Sequence, residues 1–310
     1  MITVLSKAVV GPLFCDKLSV TLPVLQKKEQ THIESCFKDL VNQKHAYSTT
    51  TPFYRDSIRF RAGGGKSDQI LLQAAPRFET VAFFRCEFNP TVVEPAIIRA
   101  VFDAVLPKGY EHLMWVGKCT RIDLTTDIYG VDVDDLLIWS KNARVSRVFC
   151  RNGKVETLYL GSKLSPIGYA IYDKNAEQLK KGSSKDMNGP RTRIEVRVKT
   201  AISTSSLGAL ANPFSKLNVA CYKSFTGMDE MSAMFLDSCR YRGAHAALKQ
   251  LNKKKRERFE FLLRTHKSPW WDPYLIWQQY PTVVEQLQNS QAPKIDYEES
   301  HSNFGAIELH

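Results

Sequence analysis

Two short stretches alternate charged and apolar residues in a way that could hold a cation and a phosphate. In "RIDLTTD" the two-residue period of a strand puts Arg121, Asp123, Thr125 and Asp127 on one face. Ile122, Leu124 and, just beyond, Ile128 fall on the other and point to a core. "TRIEVRVK" repeats the arrangement: Arg193, Glu195, Arg197 and Lys199 share a face, and Ile194, Val196 and Val198 share the opposite one. Carboxylates fixed on strands suit hard cations such as Mg²⁺ or Mn²⁺, whose shell a substrate phosphate often completes. The neighbouring guanidiniums match phosphate geometry bidentately. An exposed sheet face laced with cross-strand ion pairs, each worth a few tenths to about 1 kcal/mol, fits the same pattern. The two strands alone leave both readings open.

The stretch "LYLGSKLSPIGYAIYDKNAEQ", Leu158 to Gln178, adds three tyrosines. A tyrosine hydroxyl with its usual pKa of about 10 is a poor nucleophile. Attack on a phosphodiester needs a nearby cation or base, and a metal to polarise the phosphate. In "GYAIYDK" the strand phase sets Tyr172 with Ala170 and Lys174, and turns Tyr169, Ile171 and Asp173 the other way. Lys174 is therefore an in-phase cation that favours phenolate. Tyr159, between two leucines, and Tyr169 read as packing residues. Local chemistry leaves Tyr172 open between packing and nucleophile.

The elements that would position these groups alternate in type. "SIRFR" and "DQILLQ" read as strands around a glycine turn, and "ETVAFFRCEF" as an apolar strand. Glu94–Leu106 is a Pro-bounded amphipathic helix. "CTRIDLTTDIYG" is a strand ended by Gly130, and "DVDDLLIWSKNA" reads as a helix with acids in its first turn. "SRVFC", "VETLYLG" and "GYAIYDK" form a meander, "NAEQLKKG" a short helix closed by Gly182, and "RTRIEVRVKT" another strand. Beyond Thr200 the pattern turns helical: "MDEMSAMFLDSCRY", "GAHAALKQLNKKKRERFEFLLRTH" and "DPYLIWQQYPTVVEQLQ". No internal repeat shows. The expectation is an α+β fold, with a sheet-based domain over 1–200, a helical basic region over 201–290 and a loose acidic tail over 291–310. "AGGGKS" (Ala62–Ser67) imitates the end of a P-loop, but position 60 is Phe60 and the following segment reads as a strand, so it is a hairpin turn.

Composition bounds the class. The 310 residues, 43% hydrophobic and 24% charged, are those of an ordinary globular protein. No apolar run approaches the roughly 18 residues of a membrane span, and the first residues lack a signal peptide's pattern, so a cytoplasmic protein is expected. Seven scattered cysteines with no CxxC fit neither a zinc site nor a disulfide framework. The net charge of +11 is concentrated: Arg240–Lys267 holds ten basic residues against two acids. That concentration points to a phosphate-contacting surface, with Lys253, Lys254, Lys255, Arg256 and Arg258 at its centre, although a solvated helix face explains it equally well. Leu248, Leu251, Phe259 and Leu262 would pack beneath it.

Taken in order and spacing, "RIDLTTD", "TLYLGSKLSPIGYAIYDKNAEQ" and "RTRIEVRVK" resemble rolling-circle replication initiators of the staphylococcal-plasmid type, with their phage relatives and some relaxases of integrative elements. The match covers about residues 119–199. The resemblance implies an antiparallel sheet with helices packed on one face, and site-specific nicking and rejoining of single-stranded DNA. It implies Tyr172 as nucleophile and Lys174 as its helper. It assigns Asp123 and Glu195, and less directly Asp127, to a Mg²⁺ or Mn²⁺ site, and Arg121, Arg193 and Arg197 to DNA. No His-hydrophobe-His is present, so carboxylates carry the metal, and the Tyr169–Tyr172 spacing implies one nucleophile per chain. The implied partners are single-stranded or hairpin origin DNA and a host helicase and polymerase in the bacterial cytoplasm, with a homodimer left open. A conjugative relaxase, a hydrolytic nuclease and a non-catalytic DNA-binding regulator are the competing readings.

Overall fold

The structure, a computed structural model, describes residues 8–22, 25–63, 69–140, 142–180, 182 and 189–288. The expected acidic tail lies outside them. The chain divides into two compact units that interleave along the sequence. The amino-terminal unit takes residues 15–122 and 200–210 with the chain from 281; the central unit takes residues up to 14, 123–199 and 211–280.

Following β1 (Val9–Val10), which belongs to the central unit, β2 (Phe14–Leu22) buries Leu18, Val20 and Leu22. In α1 (Lys27–Asn42) Ile33, Phe37 and Leu40 recur at helical spacing and form the buried face. At its start the Glu29 carboxylate accepts the Gln26 N–H at 2.8 Å, half of a capping box. Next come β3 (Ala46–Ser48), β4 (Tyr54–Arg61), β5 (Gln69–Pro76) and β6 (Phe84–Phe88). β4 and β5 pair antiparallel from Arg61↔Gln69, which bears out the two strands; the turn at 64–68 lies outside the described residues. α2 (Pro95–Val105) starts on a proline, as expected, and buries Ile98, Val101, Phe102 and Val105. α3 (Gly109–Val116) follows. The strand order of this unit is β3-β4-β5-β6-β2.

The central unit begins inside β7 (Lys118–Tyr129), which ends at Gly130 with φ 81°, as the sequence indicates. The next segment is not the expected helix. One 3-10 turn over Val133–Asp135, capped by Asp132, gives way to β8 (Leu136–Ser140). "LLIWS" is buried along its whole length, so period-2 strand pairing serves it better than an amphipathic helix with one wet side. The meander β9 (Ser146–Arg151), β10 (Lys154–Leu160), β11 (Ile167–Asp173) forms as expected. α4 (Lys174–Lys180) and β12 (Arg191–Ser203) complete the run. The order is β7-β12-β11-β10-β9, with β1 also on β7.

β13 (Leu217–Cys221), a strand missed in the sequence, pairs antiparallel with β8. α5 (Glu230–Arg242), α6 (Ala244–Lys249), α7 (Lys253–Thr265) and α8 (Pro273–Trp277) follow, and α9 (Tyr280–Gln288) ends the described chain. The sequence pattern runs α6 and α7 together as one helix. Asn252 separates them by accepting the Lys255 N–H at 3.0 Å as an N-cap. Trp139 and Ala220 of the small sheet pack with Phe235, Ala247, Phe259 and Leu263 in one core cluster. Leu248, Leu251 and Leu262 pack against it, as expected. This packing is why the chain does not divide at residue 200. The helices α5 to α8 belong to the same unit as β8 and β13, and α5 to α7 pack on those strands. The architecture is α+β, antiparallel sheet with helices and a helical carboxy-terminal region, as the sequence indicates.

The two units also share a strand plan, against the expectation of no internal repeat. Each unit runs a first strand, a three-strand meander and a final strand, and each orders them meander-final-first. The chain therefore contains a structural repeat that no run of identical residues betrays.

Phe259 is fully buried and stacks on Phe235 at 4.2 Å between ring centroids. Phe259→Ala is expected to destabilise the central unit by about 3–5 kcal/mol, read as a lower denaturant midpoint with loss of helical circular dichroism.

Candidate active site

Residues directly opposite on an antiparallel ladder share a face. β11 and β12 pair Tyr172↔Arg193 and Ala170↔Glu195; β10 and β11 pair Thr157↔Tyr172 and Tyr159↔Ala170. Two parallel rows result, Thr157–Tyr172–Arg193 and Tyr159–Ala170–Glu195. Asp127 of β7 is hydrogen-bonded by Arg193, so the alternating set Asp123, Thr125, Asp127 joins the same face. The opposite face carries Leu158, Ile171, Ile194 and Val196, all buried. Tyr169 is on that apolar side. Its hydroxyl donates to the Pro213 carbonyl at 3.1 Å and burial raises its pKa, so it packs as expected.

The charged face is not an exposed lacework. Asp123 is 1% exposed, Asp127 3%, and Arg193 and Glu195 7% each. Asp127 is gripped by two guanidiniums. Arg193 reaches Oδ1 through Nε (2.7 Å) and Oδ2 through Nη2 (3.0 Å), and Arg191 reaches Oδ2 through Nε (3.0 Å) and Nη2. Burial pushes this carboxyl up, but the bonds and charge of Arg193 and Arg191 outweigh it and hold the pKa below the ordinary aspartate value. Asp127 is thus held by charge-assisted hydrogen bonds from two arginines. Arg193 also lies over the Phe14 ring at 5.1 Å. Arg197 donates through Nε to Glu195 Oε1 at 2.7 Å. Arg121 belongs to the amino-terminal unit.

Lys174 departs from the expected phase. β11 ends at Asp173, whose carboxylate accepts the Asn175 and Ala176 N–H groups (2.9 and 3.0 Å) and starts α4. Lys174 is the first residue of that helix and pairs with Glu177 at 2.5 Å. The cation opposite Tyr172 in register is Arg193 instead. Tyr159 packs, as expected, but against charged partners that the sequence did not indicate. It lies on the Tyr172 face with the guanidiniums of Arg147 and Arg197 each 5.7 Å from its ring and Phe149 edge-on at 5.9 Å. Sequence reasoning missed Arg191. Its place in "RTR" was visible, but its partner Asp127 is 64 residues away.

Among the described residues, no group of three or more His, Cys, Asp or Glu side chains comes together as a metal cage. Asp123 and Glu195 remain as carboxylates on the face. Between Asp123 and Asp127 along β7, the Thr125 hydroxyl is buried with no hydrogen-bond partner among the described residues. An orphaned buried hydroxyl needs a water, an ion or a ligand to satisfy it.

Comparison with known proteins finds likenesses to solved structures. One is described as a rolling circle replication initiator protein from Geobacillus stearothermophilus, and is similar over 76% of this chain and 99% of that one, at 14% identity and a TM-score of 0.41. No family model matches the chain, and no curated protein does.

The basic helix lies in the same central unit. Lys253 to Arg258 are all exposed in the first turns of α7. Lys253, Lys254 and Lys255 have no ion pair among the described residues. Arg256 instead donates to the Leu248 and Leu251 carbonyls (3.2 and 3.1 Å), closing the end of α6, and Arg258 pairs with Asp229 at 2.5 Å. Two of the five expected DNA contacts therefore also have structural duties. No helix among the described residues is long and apolar enough to cross a membrane.

Removing the Asp127 charge leaves two guanidiniums facing each other in a buried site. Asp127→Asn is expected to cost about 3 kcal/mol at neutral pH. Because the folded pKa is depressed, the carboxylate's contribution is complete above the unfolded value near 3.9. It is lost as pH falls through the lower folded value. The stability gap between the two proteins should therefore close below about pH 4, measured by urea unfolding across pH.

Proposed function

We propose that the chain initiates rolling-circle replication by nicking one strand of origin DNA and rejoining it through a tyrosyl 5′-phosphate. One arrangement supports this reading: Tyr172 stands directly opposite Arg193 on a sheet face where buried acids and arginines gather. A fixed guanidinium beside a phenol favours the phenolate and can also bind the phosphate it attacks. Asp127 holds that guanidinium in place, which is preorganisation of the kind transition-state stabilisation needs.

In this mechanism the Tyr172 oxygen attacks phosphorus and the P–O3′ bond breaks. The 3′ oxygen leaves, takes up a proton and serves as primer for a host polymerase while a host helicase opens the duplex. In the second transfer a 3′-hydroxyl attacks the tyrosyl phosphate, the Tyr–P bond breaks, and the phenol is restored. Asp123 and Glu195 would hold a Mg²⁺ or Mn²⁺ ion, with the Thr125 hydroxyl on the same face. Two carboxylates plus phosphate oxygens and water make a normal Mg²⁺ shell. When bound, such an ion polarises the scissile phosphate. Lys174, held by Glu177, lies one turn beyond the nucleophile as a further phosphate contact, with Arg197 on the sheet. The exposed Lys253–Lys255 cluster would track the DNA backbone. A conjugative relaxase uses the same steps. A non-catalytic DNA-binding regulator is favoured by one observation, the commitment of Asp127 to arginines rather than to a metal.

The test is covalent. Incubated with Mn²⁺ and single-stranded DNA of its own replicon, the protein should yield a nucleotide-modified Tyr172 peptide by mass spectrometry. Tyr172→Phe should abolish the adduct, and Arg193→Gln should slow its formation by about 10²–10³-fold. Cleavage without an adduct would mean hydrolysis, and binding without cleavage would mean a regulator.

A further inference from the structure

The amino-terminal unit repeats not only the strand order of the central unit but also its register. β5 and β6 pair Gln73↔Arg85 and Leu71↔Glu87, and β4 and β5 pair Ser57↔Gln73. The row Ser57–Gln73–Arg85 thus corresponds to Thr157–Tyr172–Arg193, and the pair Arg85, Glu87 to Arg193, Glu195. At the position of the tyrosine stands Gln73, which cannot form a phosphodiester linkage of that kind. Its Oε1 accepts from Arg85, as a spacer rather than a nucleophile. The adjoining strand also differs. Where β7 offers Asp123, Thr125 and Asp127, β2 offers Lys17, Ser19 and Thr21 on the ladder with β6. Lys17 and Arg85 both bond Glu87, each at 2.7 Å, so the one carboxylate here lies between two cations.

The rest of this polar face is basic. Arg55, Arg59 and Arg61 alternate with the buried Ile58 and Phe60 along β4 and so share the side of Ser57. α1 touches β4 and β5 and buries Ile33 and Phe37. An open cavity of about 540 Å³ is lined by Arg85, Lys118, Thr21, Thr120 and Phe53, with Glu79 the one acid in its lining. Phe53 and Phe78 are each 56% exposed and meet edge to face at 6.4 Å. The two rings thus form an exposed aromatic pair. Beside a basic cavity they make a surface on which bases stack while cations hold the phosphates.

We propose that the amino-terminal unit is a nucleophile-free copy of the catalytic sheet that grips single-stranded DNA without cutting it. Lys118 and Arg55 contact phosphates, and Phe53 with Phe78 stacks bases. The grip does not require Tyr172 to react.

The test uses the full chain carrying Tyr172→Phe, so that no cleavage intervenes, and a fluorescent twelve-residue oligothymidylate. Phe53→Ala with Phe78→Ala is expected to weaken binding at least tenfold, in line with the loss of stacked bases. Both rings are exposed, so the thermal midpoint should hold. Lys118→Gln with Arg55→Gln should weaken binding and flatten its salt dependence by roughly one unit of log–log slope. Ultraviolet crosslinking of the otherwise unsubstituted Tyr172→Phe protein should label peptides around Phe53 and Phe78. Unchanged affinity in both double variants, or crosslinks confined to the central unit, would overturn the proposal. So would loss of all binding on Lys253→Gln, Lys254→Gln, Lys255→Gln while the Phe53/Phe78 variant binds normally. Failure of the transesterification reading shows separately, as absence of a Tyr172 adduct in wild type.

Discussion

The central unit turns on a buried carboxylate that two arginines must neutralise. A charge as deeply buried as Asp127 is costly unless it is paired and hydrogen-bonded, and Arg191 and Arg193 supply both. Because the pair sits two residues apart on β12, satisfying Asp127 also aligns β12 against β7. That alignment carries across the ladder to Tyr172 and then to Thr157. A slip of one residue would turn Ile194 toward Asp127 and bury Arg193 among Ile171 and Leu158. The electrostatic requirement and the hydrophobic pattern therefore select the same register, and the face that carries Tyr172 inherits its geometry from both.

The same frame carries different chemistry in the amino-terminal unit. There the apolar face is again continuous, with Val20, Ile58, Leu72 and Cys86 buried. The polar face is again a largely buried network, but its members satisfy one another with different side chains, Ser57, Gln73, Arg85 and Ser19. Gln73 replaces the phenol, and Lys17 and Arg85 share the single carboxylate of Glu87. Burial pushes the Glu87 carboxyl up, and Lys17 and Arg85 outweigh that to bring its pKa to about 2. It stays ionised at any ordinary pH, so the network is permanent. A duplicated sheet can diverge in this way at little cost, since each polar position answers to its neighbours in the row rather than to the core.

The alternation in β7 and β12, the meander, and the helix bounded by Pro95 are legible in the sequence because they follow from period and from backbone stereochemistry, which are local properties. What the sequence hides is non-local. Leu136–Ser140 reads as either helix or strand until β13 is known to lie beside it. Tyr159 reads as a packing residue and is one, but only the register shows that it packs against Arg147 and Arg197. Asp127 shows no arginine partner in its own stretch, because Arg191 lies far along the chain. The repeat is invisible because it resides in which residues face each other; Arg85–Glu87 and Arg193–Glu195 share a spacing, not a sequence context. The break at Asn252 is in principle readable, since Asn before a charged run is an ordinary N-cap.

The basic turn of α7 bears on the partner through its cost to the fold. A helix N-terminus carries partial positive charge, and each cation placed there is disfavoured by about 0.3–1 kcal/mol. Lys253, Lys254 and Lys255 occupy that turn with no acid in it, and they repel one another as well. Folding would be served better by Asp or Glu at these positions, as at Glu230 in α5. Phe259 and Leu263 already anchor the helix from beneath, so the lysines are not needed for packing either. A run that opposes both the helix dipole and its own neighbours is relieved when an anion binds across it. A polyanion does this best, because each phosphate neutralised also releases a condensed counterion. On β4 no helix dipole acts, but Arg55, Arg59 and Arg61 likewise gather positive charge on one strand face, so each unit on its own carries such a concentration.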